Sequence, residues 1–133
     1  MNDCLLCNAV SGKRAIERLI ETPWTIGSLN RLSPVCRGHS VFFTKRHVVA
    51  FHDMDDVEVG DIAASIKNVV KAARLDNYTV LQNNGALGGQ TVFHVHFHLV
   101  PAWNEVERLH VEREARRPVD HGDFAERIRA ALV

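Results

Sequence analysis

The 133-residue chain lacks any apolar run that approaches the roughly 18 residues needed to cross a membrane. Its N-terminus, Met1-Asn2-Asp3-Cys4, lacks the basic region and the apolar stretch of a secretory signal. Net charge is also absent, because sixteen basic residues balance sixteen acidic ones, and nucleic-acid-binding domains are typically strongly basic. We therefore expect a cytoplasmic protein that binds neither membrane nor nucleic acid.

Cysteine is scarce: the chain has three, and an odd number cannot pair completely. Two of them form Cys4-Leu5-Leu6-Cys7, a spacing that in a cytosolic protein indicates metal binding or redox chemistry. The alternative is that Cys4 and Cys7 are merely small apolar residues near a terminus. Cys36 lies outside this spacing, and we interpret it as a structural thiol. The length and the ordinary composition, 46% hydrophobic and 24% charged, predict one folded domain over residues 1–133.

Hydrophobic periodicity predicts one long helix and four strands. Apolar residues recur at helical spacing over residues 53–75, where Asp53 or Asp55 is suited to cap the start. A short terminal helix is predicted near residues 123–132, and residues 104–118 are predicted to be irregular or partly helical. Strands are predicted at residues 24–29, 40–45, 78–82 and 91–100. This order of elements indicates an α+β domain built on an antiparallel sheet.

The last predicted strand contains three histidines in strict alternation. Because successive side chains of a strand point to opposite faces, His94, His96 and His98 are predicted to share one face. The apolar residues between them are then predicted to face the core. A lone histidine is typically structural, whereas three on the face away from the core indicate a functional site.

Two kinds of chemistry suit this row of imidazoles. A shared metal ion is disfavoured for all three, because His94 and His98 would lie roughly 13 Å apart along the strand while a zinc–nitrogen bond is about 2.0–2.1 Å. Covalent catalysis is favoured, since a neutral imidazole is a nucleophile near pH 7 and its neighbour can protonate a leaving group. Gly88, Gly89 and Thr91 come just before the row, and their backbone amides and hydroxyl are suited to hold a phosphate.

Three blocks of the sequence resemble the histidine-triad (HIT) superfamily. The main block is Asn-Asn-Gly-Ala-Leu-Gly-Gly-Gln-Thr-Val-Phe-His-Val-His-Phe-His-Leu-Val-Pro, residues 83–101, with the defining histidine-x-histidine-x-histidine. Residues 34–47 resemble the glycine–histidine strand of that superfamily, and Cys4-x-x-Cys7 resembles the start of many bacterial members. The resemblance spans residues 4–103. It implies a HIT-like fold with an antiparallel sheet of about five strands, and it leaves residues 104–133 as a C-terminal tail that shapes specificity.

The resemblance also implies roles for individual residues. His96 would attack the α-phosphorus of a nucleotide to form a nucleotidyl-histidine, His98 would assist the leaving group, and His39 would support a triad completed by His94. Residues that match phosphate or pocket contacts are Asn83, Gly89, Gln90 and Thr91. The family's ribose-binding Asp or Asn matches Arg31 here, with Asn30 beside it, so either Asn30 takes that role or ribose recognition is altered. The resemblance further implies a homodimer and a structural zinc held by Cys4, Cys7, His47 and His94.

Three functions remain as alternatives at this point. The first is a hydrolase or transferase that acts on a nucleoside phosphoramidate or dinucleoside polyphosphate, with a purine nucleotide or nucleotide conjugate as substrate and no organic cofactor. The second is a zinc hydrolase that uses the triad as metal ligands. The third is a nucleotide-binding sensor or interaction protein with negligible turnover.

Overall fold

The structure, a computed structural model, describes residues 3–104, 120 and 122–132. Five antiparallel strands form one sheet in the order β1-β2-β3-β5-β4. The strands are β1 Arg18–Glu21, β2 Thr25–Leu29, β3 Ser40–Thr44, β4 Tyr78–Gln82 and β5 His96–Pro101. The helices are α1 Leu5–Ser11, α2 Asp56–Ala73 and α3 Phe124–Leu132, and short 3-10 turns cover Phe51–Asp53 and Ala86–Gly88. The predicted α+β class and five-stranded antiparallel sheet are confirmed.

The two faces of the sheet carry different helices. On one face, α2 packs over a core that includes Phe42, Ile62 and Leu99. On the other face, α1 places Ala9 against Ile26 and Phe43. None of the described helices is long and apolar enough to span a membrane.

Helix α2 begins where the acidic cluster predicts it. Asp55 is the N-cap, and the buried Glu58 carboxylate accepts a hydrogen bond from the Asp55 backbone N–H at 2.8 Å, which completes a capping box. Arg46, which follows β3, donates to both oxygens of Glu58 at 2.6 and 3.2 Å. This ion pair ties the start of α2 to the end of β3. The predicted helix at 53–75 was therefore right in kind, and its ends differ by two or three residues.

Most predicted strands match the structure, and two elements were not predicted. Strand β4 matches its prediction, and β2 and β3 differ from theirs by one residue at one end. Strand β1 and helix α1 are four and seven residues long, too short to establish a clear period. The predicted terminal helix corresponds to α3. The prediction for residues 104–118 concerns a segment that, apart from Asn104, lies outside the described residues.

The prediction of one strand over residues 91–100 was wrong. Strand β5 begins only at His96, and residues 92–94 form a bend. The backbone N–H of Val95 donates to the carbonyl of Val48 at 2.6 Å, which draws the chain away from β3 before the ladder starts. His94 comes before β5, and its ring lies against Phe43 and the cysteines at the start of α1, on the same side of the sheet as His96 and His98.

Candidate functional site

His96 and His98 lie side by side on the α1 face of the sheet. In the β3–β5 ladder His96 is opposite Phe43 and His98 is opposite Val41, and directly paired residues of antiparallel strands share a face. Their ring centroids are 5.0 Å apart. Both rings line a cavity of about 160 Å³ between the sheet and α1. Most of its wall is apolar, with side chains that include Leu5, Leu6, Ile16, Leu32 and Val41.

The hydrogen bonds of His39 fix the position of the proton on His98. The backbone N–H of Val35 donates to His39 Nδ1 at 3.1 Å, so the ring proton of a neutral His39 lies on Nε2. That Nε2 is 2.9 Å from His98 Nδ1 and donates to it. His98 therefore carries its own proton on Nε2, the nitrogen that remains available to a ligand.

His96 has the opposite arrangement. Its Nδ1 lies 2.7 Å from the backbone carbonyl of His94, an oxygen that can only accept, so Nδ1 carries the proton. The lone pair of His96 is consequently on Nε2. One cavity thus holds an unprotonated nitrogen on His96 and a nitrogen–hydrogen donor on His98.

Burial keeps two of these histidines uncharged. Together with the smaller effects of the neighbouring His96 and His39, it lowers the pKa of His98 to about 4. Burial also lowers the pKa of His39. Because pH 7 lies well above a pKa of about 4, the neutral tautomer derived for His98 is the one present at neutral pH.

His94, which was predicted to complete the row, is fully buried and turned away from the cavity. Its Nε2 donates to the carbonyl of Thr44 at 2.7 Å, which leaves the lone pair on Nδ1. That nitrogen is 3.4 Å from Cys4 Sγ and 3.6 Å from Cys7 Sγ. Of the three histidines in the motif, only His96 and His98 line the cavity, and His94 lies beside the two cysteines at the start of α1.

Cys4, Cys7, His47 and His94 form a compact cluster. His47 Nδ1 is 3.2 Å from Cys7 Sγ, and one ligand atom from each residue lies within 4.8 Å of the others. A tetrahedral zinc site with ordinary bond lengths has ligand atoms roughly 3.3–3.8 Å apart, so the cluster has both the donor set and the spacing for that ion. Burial, followed by the hydrogen bond and charge of Cys4, raises the pKa of the Cys7 thiol, and a bound cation would offset this. These four residues, rather than the histidine row, fit a metal.

The turn before β5 is held by the hydrogen bonds of one buried side chain. The Gln90 side chain is buried; it accepts from the Gly85 backbone at 2.8 Å and donates to the carbonyls of Val49 and Val92 at 2.9 and 3.1 Å. Gln90 therefore shapes the turn, and its side chain does not line the cavity as its predicted phosphate contact would require. The hydroxyl-bearing Thr91 does line it.

Gly89 and Asn83, both predicted to contact the substrate, pack against each other. Gly89 has φ +90°, a conformation that favours glycine, and a Cβ there would lie 3.4 Å from Asn83 Nδ2. Asn83 thus supports the turn from the β4 side.

Asn30 and Arg31 occupy different positions, although they are adjacent in the sequence. Asn30 lines the histidine cavity, and its Oδ1 accepts from the backbone N–H groups of Leu32 and Ser33 at 3.1 and 3.3 Å. Its Nδ2 is 3.4 Å from His39 Nε2, but both atoms are donors, so this contact is not a hydrogen bond. Arg31 points outward and pairs with Glu17.

Sequence reasoning did not predict three contributors to the site. Helix α1 forms one wall of the cavity, Arg14 lines it, and Val35 sets the tautomer of His39 through its backbone. Short elements and backbone amides have no motif, so only the CxxC spacing drew attention to the N-terminal segment.

Known proteins resemble this chain in both sequence and structure. Residues 19–105 match the HIT domain family. An adenosine 5'-monophosphoramidase of Schizosaccharomyces pombe is 38% identical over 102 residues, which are 77% of this chain and 76% of the yeast protein. Among solved structures, a histidine triad nucleotide-binding protein from Candida albicans has a TM-score of 0.75 and 30% identity, and the match covers 98% of this chain and 93% of that one. A protein from Leishmania major described as hypothetical has a TM-score of 0.85 and 26% identity, with 98% and 94% covered.

Proposed function

The chain belongs to the HIT domain family, and on that premise we propose that it is a nucleotide hydrolase or transferase with His96 as its nucleophile. The substrate class is a nucleoside phosphoramidate or a dinucleoside polyphosphate, and the reacting atom is the α-phosphorus. The observation that carries the proposal is the pair of nitrogens in one cavity, a lone pair on His96 Nε2 and a proton on His98 Nε2. The similarity to an adenosine 5'-monophosphoramidase supports the phosphoramidate class.

The proposed reaction has two steps. In the first, the lone pair of His96 Nε2 forms a bond to phosphorus, the bond from phosphorus to the leaving group breaks, and the leaving atom keeps the bonding electrons, accepts a hydrogen bond from His98 Nε2–H and takes its proton from water. In the second, water attacks the nucleotidyl-His96 and loses a proton to solvent, and the phosphorus–nitrogen bond breaks with its electrons returning to His96 Nε2. A nucleoside monophosphate is released, and both histidines return to their starting tautomers.

Residues around the cavity orient the substrate. Thr91 and the backbone that follows Gly89 are suited to bind the phosphate, and Asn30 lies beside the histidines where a ribose would reach it. The carbonyl of His94 holds the His96 ring by its Nδ1 proton, and His39 holds the ring of His98. Preorganised groups of this kind lower the barrier because they need no reorientation during the reaction.

The cluster of Cys4, Cys7, His47 and His94 would hold a structural Zn²⁺. A metal there would supply cross-links, since the residues that would hold it lie at the start of α1, after the end of β3 and in the bend before β5. The backbone carbonyl of His94 also accepts a hydrogen bond from His96 Nδ1. A cluster that fixes His94 therefore also helps to fix the proposed nucleophile.

We also propose a homodimer formed through the β4 edge of the sheet. Strand β4 is an edge strand, and it exposes Tyr78, Val80 and Leu81. An exposed apolar edge is an unstable surface for a lone chain and pairs readily with a copy of itself. The extent of the domain over residues 1–133 and the cytoplasmic location stay predictions.

The decisive experiment is intact-protein mass spectrometry after brief exposure to an adenosine phosphoramidate and, separately, to a diadenosine polyphosphate. The wild type is compared with His96→Ala and with His52→Ala, a control that removes an exposed histidine far from the cavity. We expect free adenosine monophosphate and an adduct of one adenylyl group from wild type and His52→Ala, and neither from His96→Ala. His96→Ala should unfold at nearly the same temperature as wild type, because a partly exposed imidazole contributes little to stability.

Two results would contradict the proposal. Turnover by a well-folded His96→Ala variant would show that another group is the nucleophile. Tight nucleotide binding by the wild type with no product from either compound would favour a nucleotide-binding sensor.

A further inference from the structure

The only formally charged side chain among the described residues that line the histidine cavity is Arg14. Arg14 lies on the loop that follows α1, where its backbone N–H donates to the carbonyl of Asn8 at 3.0 Å. The side chain is half-buried, and within the described part of the chain its guanidinium has neither an ion pair nor a hydrogen bond. A guanidinium that lines a cavity without a partner of its own is available to an anion that a ligand supplies.

A second cavity, of about 320 Å³, adjoins the first and extends away from the histidines. The two share a wall formed by Leu6, Arg14, Ile16, Asn30, Leu32 and Val41. Beyond that wall, Arg31 and Glu17 line only the second cavity. Arg31 and Glu17 form an ion pair, so their charges cancel. The net formal charge of the described residues that line the two cavities is therefore the single positive charge of Arg14.

Arg14 differs from the groups assigned to the reacting phosphate in that it lines both cavities. His96, His98 and Thr91, the groups assigned to the α-phosphate, line the first of these two cavities and not the second. Arg14 instead belongs to the shared and mainly apolar wall, where a nucleoside attached to that phosphate would lie. The cation is therefore placed to meet a charge on the nucleoside, in addition to the charge at the scissile bond.

We propose that Arg14, assisted by Arg31, binds a second phosphate carried on the ribose of the substrate, so that the preferred substrates are 5'-nucleotidyl compounds phosphorylated at the 2' or 3' oxygen. A guanidinium binds phosphate through paired hydrogen bonds and is suited to this role. Arg31 becomes available because its pair with Glu17 is exposed, with 71% and 48% of the two side chains accessible, and exposed pairs exchange partners at little cost. This inference rests on the proposed function, since it takes the α-phosphate to lie at His96.

The test is a comparison of equilibrium affinities measured by calorimetry. The ligands are adenosine 5'-monophosphate, guanosine 5'-monophosphate, and adenosine 2',5'- and 3',5'-bisphosphate. The proteins are wild type, Arg14→Met, Arg14→Lys, Arg31→Met and the control Lys67→Met, which removes a cation from α2 on the opposite side of the sheet. The quantity compared is the ratio of bisphosphate affinity to monophosphate affinity within each protein, so a general loss of folded protein cancels.

We expect the wild type and Lys67→Met to bind one bisphosphate about tenfold or more tighter than the monophosphate, as a charge-assisted hydrogen bond provides. The ratio should fall to near one in Arg14→Met, to an intermediate value in Arg14→Lys, and partly in Arg31→Met. Raised salt should reduce the wild-type ratio, because the added contact is ionic.

Three outcomes would overturn the inference. The first is equal wild-type affinity for monophosphate and both bisphosphates. The second is an unchanged ratio in Arg14→Met with all affinities reduced together, which would assign Arg14 to the 5'-phosphate. The third is a loss in Arg14→Met that is confined to guanosine monophosphate, which would assign Arg14 to the base.

The binding test is independent of turnover. Bisphosphate preference without hydrolysis would leave the second-phosphate site at Arg14 standing as a ligand-binding site and remove the proposed function. Hydrolysis through His96 without a preference for bisphosphates would support the proposed function and remove the inference about Arg14.

Discussion

The proton on His98 Nε2 depends on a backbone amide that lies outside the cavity. The N–H of Val35 fixes the tautomer of His39, and His39 fixes that of His98, through contacts of 3.1 and 2.9 Å. In the proposed mechanism His39 is therefore a positioning residue, and it acts only through the N–H that His98 presents to the leaving group.

Replacement of His39 by Ala is expected to lower kcat roughly 10- to 100-fold, a smaller loss than removal of the hydrogen-bond donor itself. The loss should be greater for substrates with a basic leaving group, which needs the hydrogen bond more, than for substrates with an acidic one. Steady-state kinetics over a series of leaving groups measures this dependence. His39→Gln retains an N–H donor and should recover part of kcat, and His52→Ala should match the wild type. An equal loss for every leaving group would contradict the positioning role.

At the scale of single elements, the four-residue cluster is expected to hold α1 on the sheet through the proposed metal. Helix α1 has seven residues, too few to be stable alone, and its apolar contacts centre on Ala9. Cys4 is its N-cap and Cys7 lies in its first turn, so a metal bound to both would fix the start of the helix.

Cys7→Ser is expected to reduce bound zinc from about one per chain to a small fraction and to lower Tm by roughly 5–10 °C, because a ligand bound only to the folded state stabilises that state. Metal content is measured by elemental mass spectrometry and Tm by calorimetry, and hydrogen exchange should increase first in α1. Cys36→Ser, which changes the one cysteine outside the cluster, should keep the metal. Equal zinc content in Cys7→Ser and wild type would exclude the cluster as its site.

The elements also differ in how far their sequence predicted them. Helix α2 and strand β4 were predictable because their side-chain periods extend over a whole element and Asp55 has cap chemistry. The start of β5 was not, since the hydrogen bond from Val95 to Val48 joins residues 47 positions apart and has no local pattern.

At the scale of the whole molecule, the buried neutral histidines make stability depend on pH. The folded pKa of His98 is about 4, whereas the unfolded value is near 6.5, and His39 is shifted in the same direction. Between these two pKa values the unfolded chain therefore binds more protons than the folded chain. This contribution to stability is fully present above about pH 6.5 and is lost as the pH falls toward 4.

The free energy of unfolding is accordingly expected to fall between pH 6.5 and pH 5, with a slope of up to about 1.4 kcal/mol per pH unit for each such histidine. Urea denaturation at a series of pH values, in the presence of chelator so that metal loss does not contribute, measures the slope. His98→Asn should show a smaller slope than wild type, and His52→Ala an unchanged one. The same slope in His98→Asn would mean that other groups carry the pH dependence.

The sequence alone determined the α+β class, the position of α2, and the pairing of His96 with His98 on one face. Each of these depends on a local period or on a motif within a few residues, and such patterns can be recognised in the sequence without the structure. It also brought attention to Cys4 and Cys7 through their spacing.

Only the tertiary structure decided the partner and the protonated nitrogen of each histidine. The packing of α1 on the sheet brings the cysteines to His94, the amide of Val35 sets the proton on His98, and the loop after α1 brings Arg14 to the cavity. Each depends on contacts between residues distant in the chain or on backbone groups that every residue possesses. Side-chain identity does not encode such contacts, so they become fixed only when the sheet and its two helices pack together.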